Sequence, residues 1–272
     1  MTTFSRSRFS ALLIAGTMLA SLSVEPLQAQ GVKIPGNPSA KSKAKPRPKR
    51  PRTSYMGRPI AQVMGFEGAE WLVRPERESE ERPEDMLDSL KLTPGMNVAD
   101  VGAGVGYTSL RLAKRIAPKG KVYATDLQPE MLRMLSANAR DAGVDNIVPI
   151  RATQLDTKLP LDTIDLAIMV DVYHESSEPE ALLDGIRKAL KKDGRLVLVE
   201  FRAEDPEVPI KPEHKMSLAQ VRKEVEPRGF TFVESIEILP MQHIIIFDRG
   251  KDKEALADPN KKPAAAKAEG SK

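Results

Sequence analysis

Short apolar runs alternate with amphipathic segments from about Tyr55 to Phe247. Segments such as YTSLRLAKRIA and EPEALLDGIRKAL place their apolar residues at helical spacing. Strands that alternate with helices predict βαβ units, and therefore a parallel sheet with helices on both sides. The predicted strands are rich in Val, Ile and Leu, which is typical of strands covered on both faces, and they read NVADV, KVYATD, NIVPI, IDLAIMVD and RLVLVEF.

The alternation of strands and helices ends in the last part of the chain. Ser217 and Gln220 have the spacing of a capping box, which predicts a helix. TFVESIEIL and HIIIF follow as two strands separated only by residues 240–242. Because so short a connection cannot hold a crossover helix, these two strands are predicted to be antiparallel. The predicted fold class is therefore α/β, a Rossmann-like sheet of seven strands that is parallel apart from one terminal antiparallel strand and is flanked by helices.

The amino-terminal residues have the layout of an export signal. Arg6 and Arg8 precede a mostly apolar stretch, and a small-residue site ends at Ala29. This arrangement predicts a secretory signal peptide cleaved after Ala29, with an uncleaved membrane anchor as the alternative. The protein is accordingly expected to be exported, either to the periplasm or out of the cell.

Charge divides the chain further. Residues 31–52 contain eight Lys or Arg and no acidic residue, and they are rich in Pro. They are therefore predicted to form a disordered linker, which can contact an anionic surface weakly. The expected segments are a signal peptide (1–29), a basic Pro-rich linker (30–54), a lid or helical segment (55–91), the α/β domain (92–248) and a disordered tail (249–272).

Composition excludes several functional classes. The net charge of +4 comes from the flanking segments, and aromatic residues make up only 4% of the chain, so no nucleic-acid partner is expected. The chain has no cysteine, which excludes disulfides, cysteine–zinc sites, iron–sulfur clusters and thiolate nucleophiles.

A glycine-rich turn after the first strand predicts a nucleotide-like ligand. Gly102, Gly104 and Gly106 form G-x-G-x-G, whereas dinucleotide sites usually show G-x-G-x-x-G, and Tyr107 stands where the last glycine of that pattern belongs. Asp100 would repel a pyrophosphate, but it suits the ammonium and sulfonium of S-adenosylmethionine. An acidic residue at the end of the second strand can accept hydrogen bonds from ribose hydroxyls of either ligand.

With these motifs in place, the domain over 92–248 resembles the class I S-adenosylmethionine-dependent methyltransferases, especially the small-molecule branch that includes quinone-biosynthesis enzymes. VADVGAGVG is similar to their first motif and VYATDLQPEML to their second. The resemblance implies that Asp100 and the turn Gly102, Ala103, Gly104 and Gly106 hold the methionine moiety of S-adenosyl-L-methionine, that Asp126 binds its ribose and that Leu127 packs on its adenine.

The adenine contact departs from the family pattern. Family members often carry an acidic residue just after the third strand, where this chain reads RATQLDTKLP. Thr153, Gln154 and Asp156 are the candidates for the adenine contact, and Gln154 is the one we favour.

The segment DVYHE, after the fourth strand, carries the candidate catalytic groups. His174 is predicted to remove a proton from the acceptor, with Asp171 or Glu175 orienting its ring. The alternatives are a structural histidine and an Asp171 that binds the amino group of the cofactor. His174 and His214 with Glu175 or Glu213 would make a conceivable metal site, but their spacing matches no compact ligand motif, so no metal is expected.

The expected activity is methyl transfer from S-adenosyl-L-methionine to a small-molecule or lipid-like acceptor. Trp71, Arg74 and Arg77 precede the domain and are predicted to line the acceptor pocket, where either arginine would suit an anionic substrate. Two alternatives remain: an exported noncatalytic module that binds S-adenosylmethionine or a nucleoside, and an NAD-dependent oxidoreductase.

Overall fold

The computed structural model describes residues 52–251. The predicted signal peptide lies outside the described residues, and so do the linker up to residue 51 and the tail from residue 252. Among residues 52–251, no helix has both the length and the apolar character needed to cross a membrane.

Seven principal strands form one sheet, and they are β1 (Asn97–Val101), β2 (Lys121–Asp126), β3 (Ile147–Arg151), β4 (Ile164–Val170), β5 (Leu190–Arg202), β6 (Thr231–Ile236) and β7 (Gln242–Asp248). Their spatial order is β3-β2-β1-β4-β5-β7-β6, and the two-residue strand Lys215–Met216 also pairs with β5. Strand β7 is antiparallel to both of its neighbours, and all other pairs of these strands are parallel. The predicted fold class and its antiparallel terminal hairpin are therefore confirmed.

The helices agree with the amphipathic segments of the sequence. The Ser217 hydroxyl accepts a hydrogen bond from the amide of Gln220 at 3.1 Å, which confirms the predicted cap. Strand β5 begins at Leu190 rather than at the predicted Arg195, because Leu190 is buried and already pairs with Ile164 of β4. The helices are α1 (Arg77–Glu81), α2 (Pro83–Ser89), α3 (Tyr107–Ile116), α4 (Pro129–Asp141), α5 (Pro179–Ala189) and α6 (Leu218–Val225).

Two apolar layers cover the sheet, one on each face. Along β4, Ala167 and Met169 pack in the layer that contains α5 and α6. Leu166 and Ile168 point the other way, into the layer that contains α2 and α3. This period of two explains why β4 is apolar at nearly every position, since both of its faces are buried.

The residues before α1 lie against the carboxyl edge of the sheet. They form a small hairpin (Ser54–Tyr55 with Arg58–Pro59) and a 3-10 helix (Phe66–Val73). The Arg58 guanidinium binds the buried Glu224 carboxylate of α6 at 2.7 Å and the carbonyl of His174 at 3.0 Å. This ion pair fixes the hairpin beside the strand ends where the candidate site residues lie.

Candidate functional site

A cavity of about 590 Å³ opens at the carboxyl ends of the parallel strands. Ligands of open α/β sheets bind at this edge, because the loops after the strands converge there. Of the predicted site residues, Gly106 and the alternative candidates Asp156 and Glu213 do not line the cavity. The others all line it: Asp100, Gly102, Ala103, Gly104, Asp126, Leu127, Gln154, Asp171, His174 and Glu175.

Gly106 supports helix packing instead of contacting the cavity. It precedes α3 with a φ of 89°, in the left-handed region that favours glycine. A Cβ atom at this position would lie 2.9 Å from Cγ of Leu135 in α4. Gly106 therefore lets α3 start close to α4, and its predicted contact with the cofactor stays a prediction.

Asp126 holds the glycine turn in place. Its Oδ2 accepts a hydrogen bond from the Gly104 amide at 3.0 Å, and its Oδ1 accepts one from the Gln128 amide at 2.8 Å. Burial raises the pKa of Asp126 above its ordinary value, although these amide bonds oppose the shift. Each carboxylate oxygen keeps acceptor capacity, so the same group can also bind hydroxyl groups in the cavity.

Asp100 is a buried acid at the base of the cavity. It is 3% exposed, and its Oδ2 accepts a hydrogen bond from the Ser109 hydroxyl at 2.6 Å. Burial raises the pKa of Asp100 to about 6, and the Ser109 hydrogen bond opposes this shift. No described residue forms an ion pair with Asp100 within 4.0 Å, so a cation in the cavity would be its natural partner.

The three candidates for the adenine contact separate in the structure. Thr153 and Gln154 line the cavity, while Asp156 is turned away from it. The Asp156 carboxylate binds the ammonium of Lys158 at 2.6 Å on the exposed side of the turn. Asp156 therefore does not belong to the candidate site.

His174 is the centre of a hydrogen-bonded chain of three side chains. It is 2% exposed, its Nδ1 lies 2.6 Å from Oε2 of Glu200, and its Nε2 lies 3.0 Å from Nδ1 of His214. Burial alone lowers the pKa of His174, but the charge and hydrogen bond of Glu200, with Asp171 and Glu175 nearby, raise it above its ordinary value. The pKa of His214 is lowered by its burial and by the neighbouring His174.

The carboxylate that bonds to His174 is thus Glu200, not Asp171 or Glu175 as predicted. Sequence reasoning missed Glu200, although a signal existed: an acidic residue inside the apolar strand VLVEF must have a buried partner. Its Oε1 also accepts the amide of Tyr173 at 2.9 Å, so both oxygens are hydrogen-bonded.

Asp171 and Glu175 have different surroundings. Asp171 has a φ of 54°, and its Oδ2 accepts a hydrogen bond from the Gln242 side chain at 2.9 Å. Its Oδ1 has no hydrogen-bond partner among the described residues, and burial beside Glu81 and Glu200 raises its pKa well above the ordinary value. Burial raises the pKa of Glu175 to about 7.

The predicted lid residues line the cavity, but their positive charges are paired. Arg74 binds the carboxylate of Glu80 and lies 3.8 Å from the ring centroid of Trp71. Arg77 binds Glu81 at 2.7 Å. Because both guanidinium groups already have carboxylate partners, the structure does not support their predicted use for an anionic acceptor.

Comparisons with known proteins agree with this geometry. Residues 92–253 match the family described as a methyltransferase domain. The chain is 29% identical over 137 residues to the uncharacterized methyltransferase YcgJ of Bacillus subtilis (strain 168), covering 50% of this chain and 52% of that protein. It is 26% identical over 124 residues to the ubiquinone/menaquinone biosynthesis C-methyltransferase UbiE of Shewanella sp. (strain W3-18-1), covering 45% of this chain and 46% of that protein.

Among the solved structures is one whose whole chain is matched by this protein. A SAM dependent methyltransferase from Aquifex aeolicus superposes with a TM-score of 0.65 at 27% identity, covering 68% of this chain and 99% of that one. By contrast, the chain spans only about half the length of the curated relatives it matches.

Proposed function

Because the chain belongs to the methyltransferase-domain family and is an S-adenosyl-L-methionine-dependent methyltransferase, we propose that it methylates a small-molecule, lipid-like acceptor carrying a hydroxyl group. His174 removes the proton of that hydroxyl. The observation that carries the proposal is the His174 imidazole in the cavity wall, held at Nδ1 by the buried Glu200.

The residues around the glycine turn fit the cofactor. Asp100 and Asp171 are acids in the cavity wall without a cationic partner within salt-bridge distance among the described residues, and Oδ1 of Asp171 lacks a hydrogen bond. Such groups suit the ammonium and sulfonium of S-adenosyl-L-methionine. In the proposed arrangement Asp100 and the turn hold the methionine moiety, Asp126 the ribose, and Leu127 and Gln154 the adenine.

When bound, S-adenosyl-L-methionine supplies a methyl group that its sulfonium already activates. The protein therefore needs to align the acceptor and take its proton. Glu200 accepts the Nδ1 proton of His174, so the proton of the acceptor is taken at Nε2, the nitrogen that also faces Nδ1 of His214. His214 lies beside this nitrogen, so the acceptor hydroxyl is placed where the loop after β5 meets the loop after β4.

The cavity wall supports an apolar acceptor. The arginines of the lid are neutralised by glutamates, so neither of them supplies a free charge for an anionic acceptor. A relative is named as a ubiquinone/menaquinone biosynthesis C-methyltransferase, which supports a small-molecule acceptor. The apolar residues of the wall include Met64, Leu72, Val172, Leu182, Phe201 and Ile210.

The test is a transfer assay with radiolabelled S-adenosyl-L-methionine and the full chain. Neutral hydroxylated apolar compounds are compared with carboxylic acids of equal size, and methylation of the neutral compounds is expected. His174→Ala should lower turnover about 10²- to 10⁴-fold while calorimetry shows unchanged cofactor binding. Glu213→Gln, in the loop beside His214 and outside the cavity wall, is the matched control.

Three results would contradict parts of the proposal. Undiminished turnover in His174→Ala would remove the proposed base. Cofactor binding without transfer to any acceptor would favour the noncatalytic binding module. Binding of NAD in place of S-adenosyl-L-methionine would favour the oxidoreductase alternative.

Export is a second proposal, supported by the residue pattern from Arg6 to Ala29. It predicts a mature protein that begins at Gln30 in the periplasmic or secreted fraction of the source cell. Amino-terminal sequencing of the fractionated protein checks this, and a chain found in the cytoplasm with residues 1–29 intact would contradict it. The basic residues 31–52 would then be available for weak contact with an anionic surface.

A further inference from the structure

Two histidines and a glutamate meet at the cavity wall, and we propose that this His–Glu–His cluster, formed by His174, Glu175 and His214, binds a divalent transition-metal ion. One ligand atom of each residue lies within 4.8 Å of the others. Imidazole nitrogens with one carboxylate are ligands that suit Zn²⁺ and other first-row divalent ions. This inference goes beyond the proposed function, because cation binding can be measured without any methyl acceptor.

The sheet brings the cluster together. His174 and Glu175 lie in the 3-10 turn Tyr173–Glu175, which follows β4, and His214 ends the turn Pro212–His214, which follows β5. Strands β4 and β5 are parallel neighbours, so the segments that follow them emerge at the same edge. Residues 40 positions apart in sequence therefore place ring nitrogens 3.0 Å apart.

The orientation of His174 is that of a metal ligand. Nδ1 of a ligating histidine commonly donates to a carboxylate, which fixes the ring and directs Nε2 to the ion. Glu200 is fully buried and occupies this position at 2.6 Å from Nδ1. Nε2 is thereby directed at His214.

The nitrogen separation also fits a shared ion. Two nitrogens that are each about 2.0–2.1 Å from one ion, at an angle of about 90–110°, lie about 2.9–3.4 Å apart. The observed distance from Nε2 of His174 to Nδ1 of His214 is 3.0 Å. Either a proton or a cation between these nitrogens accounts for that distance, and the two cases differ in the role of Glu175.

Glu175 provides the negative charge that a cation requires. Its carboxylate is partly buried, and its one hydrogen bond among the described residues is a long one of 3.3 Å from the amide of Met64. Glu200 and Asp171 add two further acids around the cluster. No arginine or lysine of the described residues forms an ion pair with any of these three acids within 4.0 Å, and the one printed partner is His174, which pairs with Glu200.

A cation here would change how the acceptor is activated. The cation and a proton compete for the Nε2 lone pair, so His174 is a base in the cation-free site and a ligand in the loaded one. A cation held by His174, Glu175 and His214 would supply Lewis-acid activation of the acceptor hydroxyl, which would lose its proton more readily.

The experiment is calorimetric titration of the full chain, treated with a chelator and then dialysed, with ZnCl₂ and separately with MgCl₂. We expect one Zn²⁺ per chain with micromolar or tighter affinity and no comparable binding of Mg²⁺. Glu175→Gln and His214→Ala should each weaken Zn²⁺ binding at least tenfold. Glu207→Gln replaces an exposed acid of the same loop, outside the cluster and the cavity wall, and should leave the Zn²⁺ affinity unchanged.

Circular dichroism and S-adenosyl-L-methionine titration confirm that each variant is folded. The visible absorption of bound Co²⁺ gives a second readout, since it reports coordination directly. The metal site is refuted if the wild-type chain binds no Zn²⁺, or if Glu175→Gln and His214→Ala bind it as tightly as the wild type. Cofactor binding and methyl transfer persist in that case, so failure of this inference is distinguishable from failure of the proposed function.

Discussion

At the residue scale, the buried acids of the cavity decide when the site can receive a cationic ligand. Asp100 is the clearest case, because burial raises its pKa to about 6. Below pH 6 it is mostly protonated and loses its attraction for the ammonium of the cofactor. The same shift has a consequence for folding: the folded chain binds this proton more tightly than the unfolded chain, so the contribution of Asp100 to stability decreases as pH rises through about 6.

The first prediction follows from this titration. Lowering the pH from 7.5 to 5.5 should weaken S-adenosyl-L-methionine binding about fourfold through Asp100 alone. Asp100→Asn should bind more weakly at pH 7.5, because it lacks the charge, and should lose that part of the pH dependence. Calorimetry at both pH values measures the difference, and an equal pH dependence in both proteins would exclude Asp100 as the partner of the ammonium.

Glu200 is a positioning residue, because it acts through His174 and is fully buried behind it. Glu200→Gln keeps a carbonyl oxygen for the Nδ1 proton but removes the charge. We expect turnover to fall about tenfold or more, with unchanged cofactor affinity and a changed ¹⁵N chemical shift of the His174 ring. Unchanged turnover and ring shifts would show that Glu200 serves folding alone.

At the element scale, the start of α3 depends on a glycine that does not contact the cavity. Gly106→Ala adds a Cβ atom 2.9 Å from Cγ of Leu135 and forces alanine into a φ of 89°. We expect a decrease in the free energy of unfolding of about 2–4 kcal/mol, from strain together with overpacking. Urea denaturation measures this change.

Gly95→Ala separates the two causes. Its φ is 92°, but nothing lies within 4 Å of the added Cβ atom, so only the backbone strain applies. It should cost about 1–2 kcal/mol, less than Gly106→Ala. If both variants lower the free energy of unfolding equally, the Leu135 side chain moves aside without cost and overpacking makes no contribution.

At the scale of the whole molecule, a buried ion pair joins two residues that lie far apart in the described part of the chain. Arg58 and Glu224 are 166 positions apart and are 8% and 0% exposed, respectively. Removing one partner leaves the other charge buried and unpaired, which typically costs about 3–5 kcal/mol. The same guanidinium binds the carbonyl of His174, so the pair also supports the candidate site.

Arg58→Met should therefore lower the free energy of unfolding by about 3 kcal/mol or more, whereas the double variant with Glu224→Met should recover part of the loss. Arg222→Met is the control, because its pair with Glu226 is largely exposed and should cost less than about 1 kcal/mol. Chemical denaturation checks all four proteins. A loss in Arg58→Met no larger than in the control would contradict the role of the pair.

Much of the fold could be predicted from local patterns. The periodicity of apolar residues gave the strands β1 and β2 at their observed bounds and placed the helices within a few residues. The length of the connection at residues 240–242 predicted the antiparallel pair. These features depend on neighbouring residues along the chain, so the sequence carries them directly.

The candidate site was predictable only in part. The glycine turn, Asp100 and Asp126 stand in one βα unit, and their motif identifies a ligand class. Glu200 and the arrangement of His174 with His214 depend on strands that meet only in the folded sheet. The pairing of Arg74 and Arg77 with glutamates also required the packed lid, and it changed the expected acceptor.

By itself, the sequence determined the order of strands and helices and the glycine turn between two aspartates, because hydrophobic periodicity and turn chemistry act over a few consecutive residues. The tertiary structure alone decided which acid holds His174, which glutamates pair with the lid arginines and which histidines lie together at the cavity wall. Burial and charge pairing depend on distances between residues far apart in the chain. Those distances are set only when the sheet is assembled and its helices are packed.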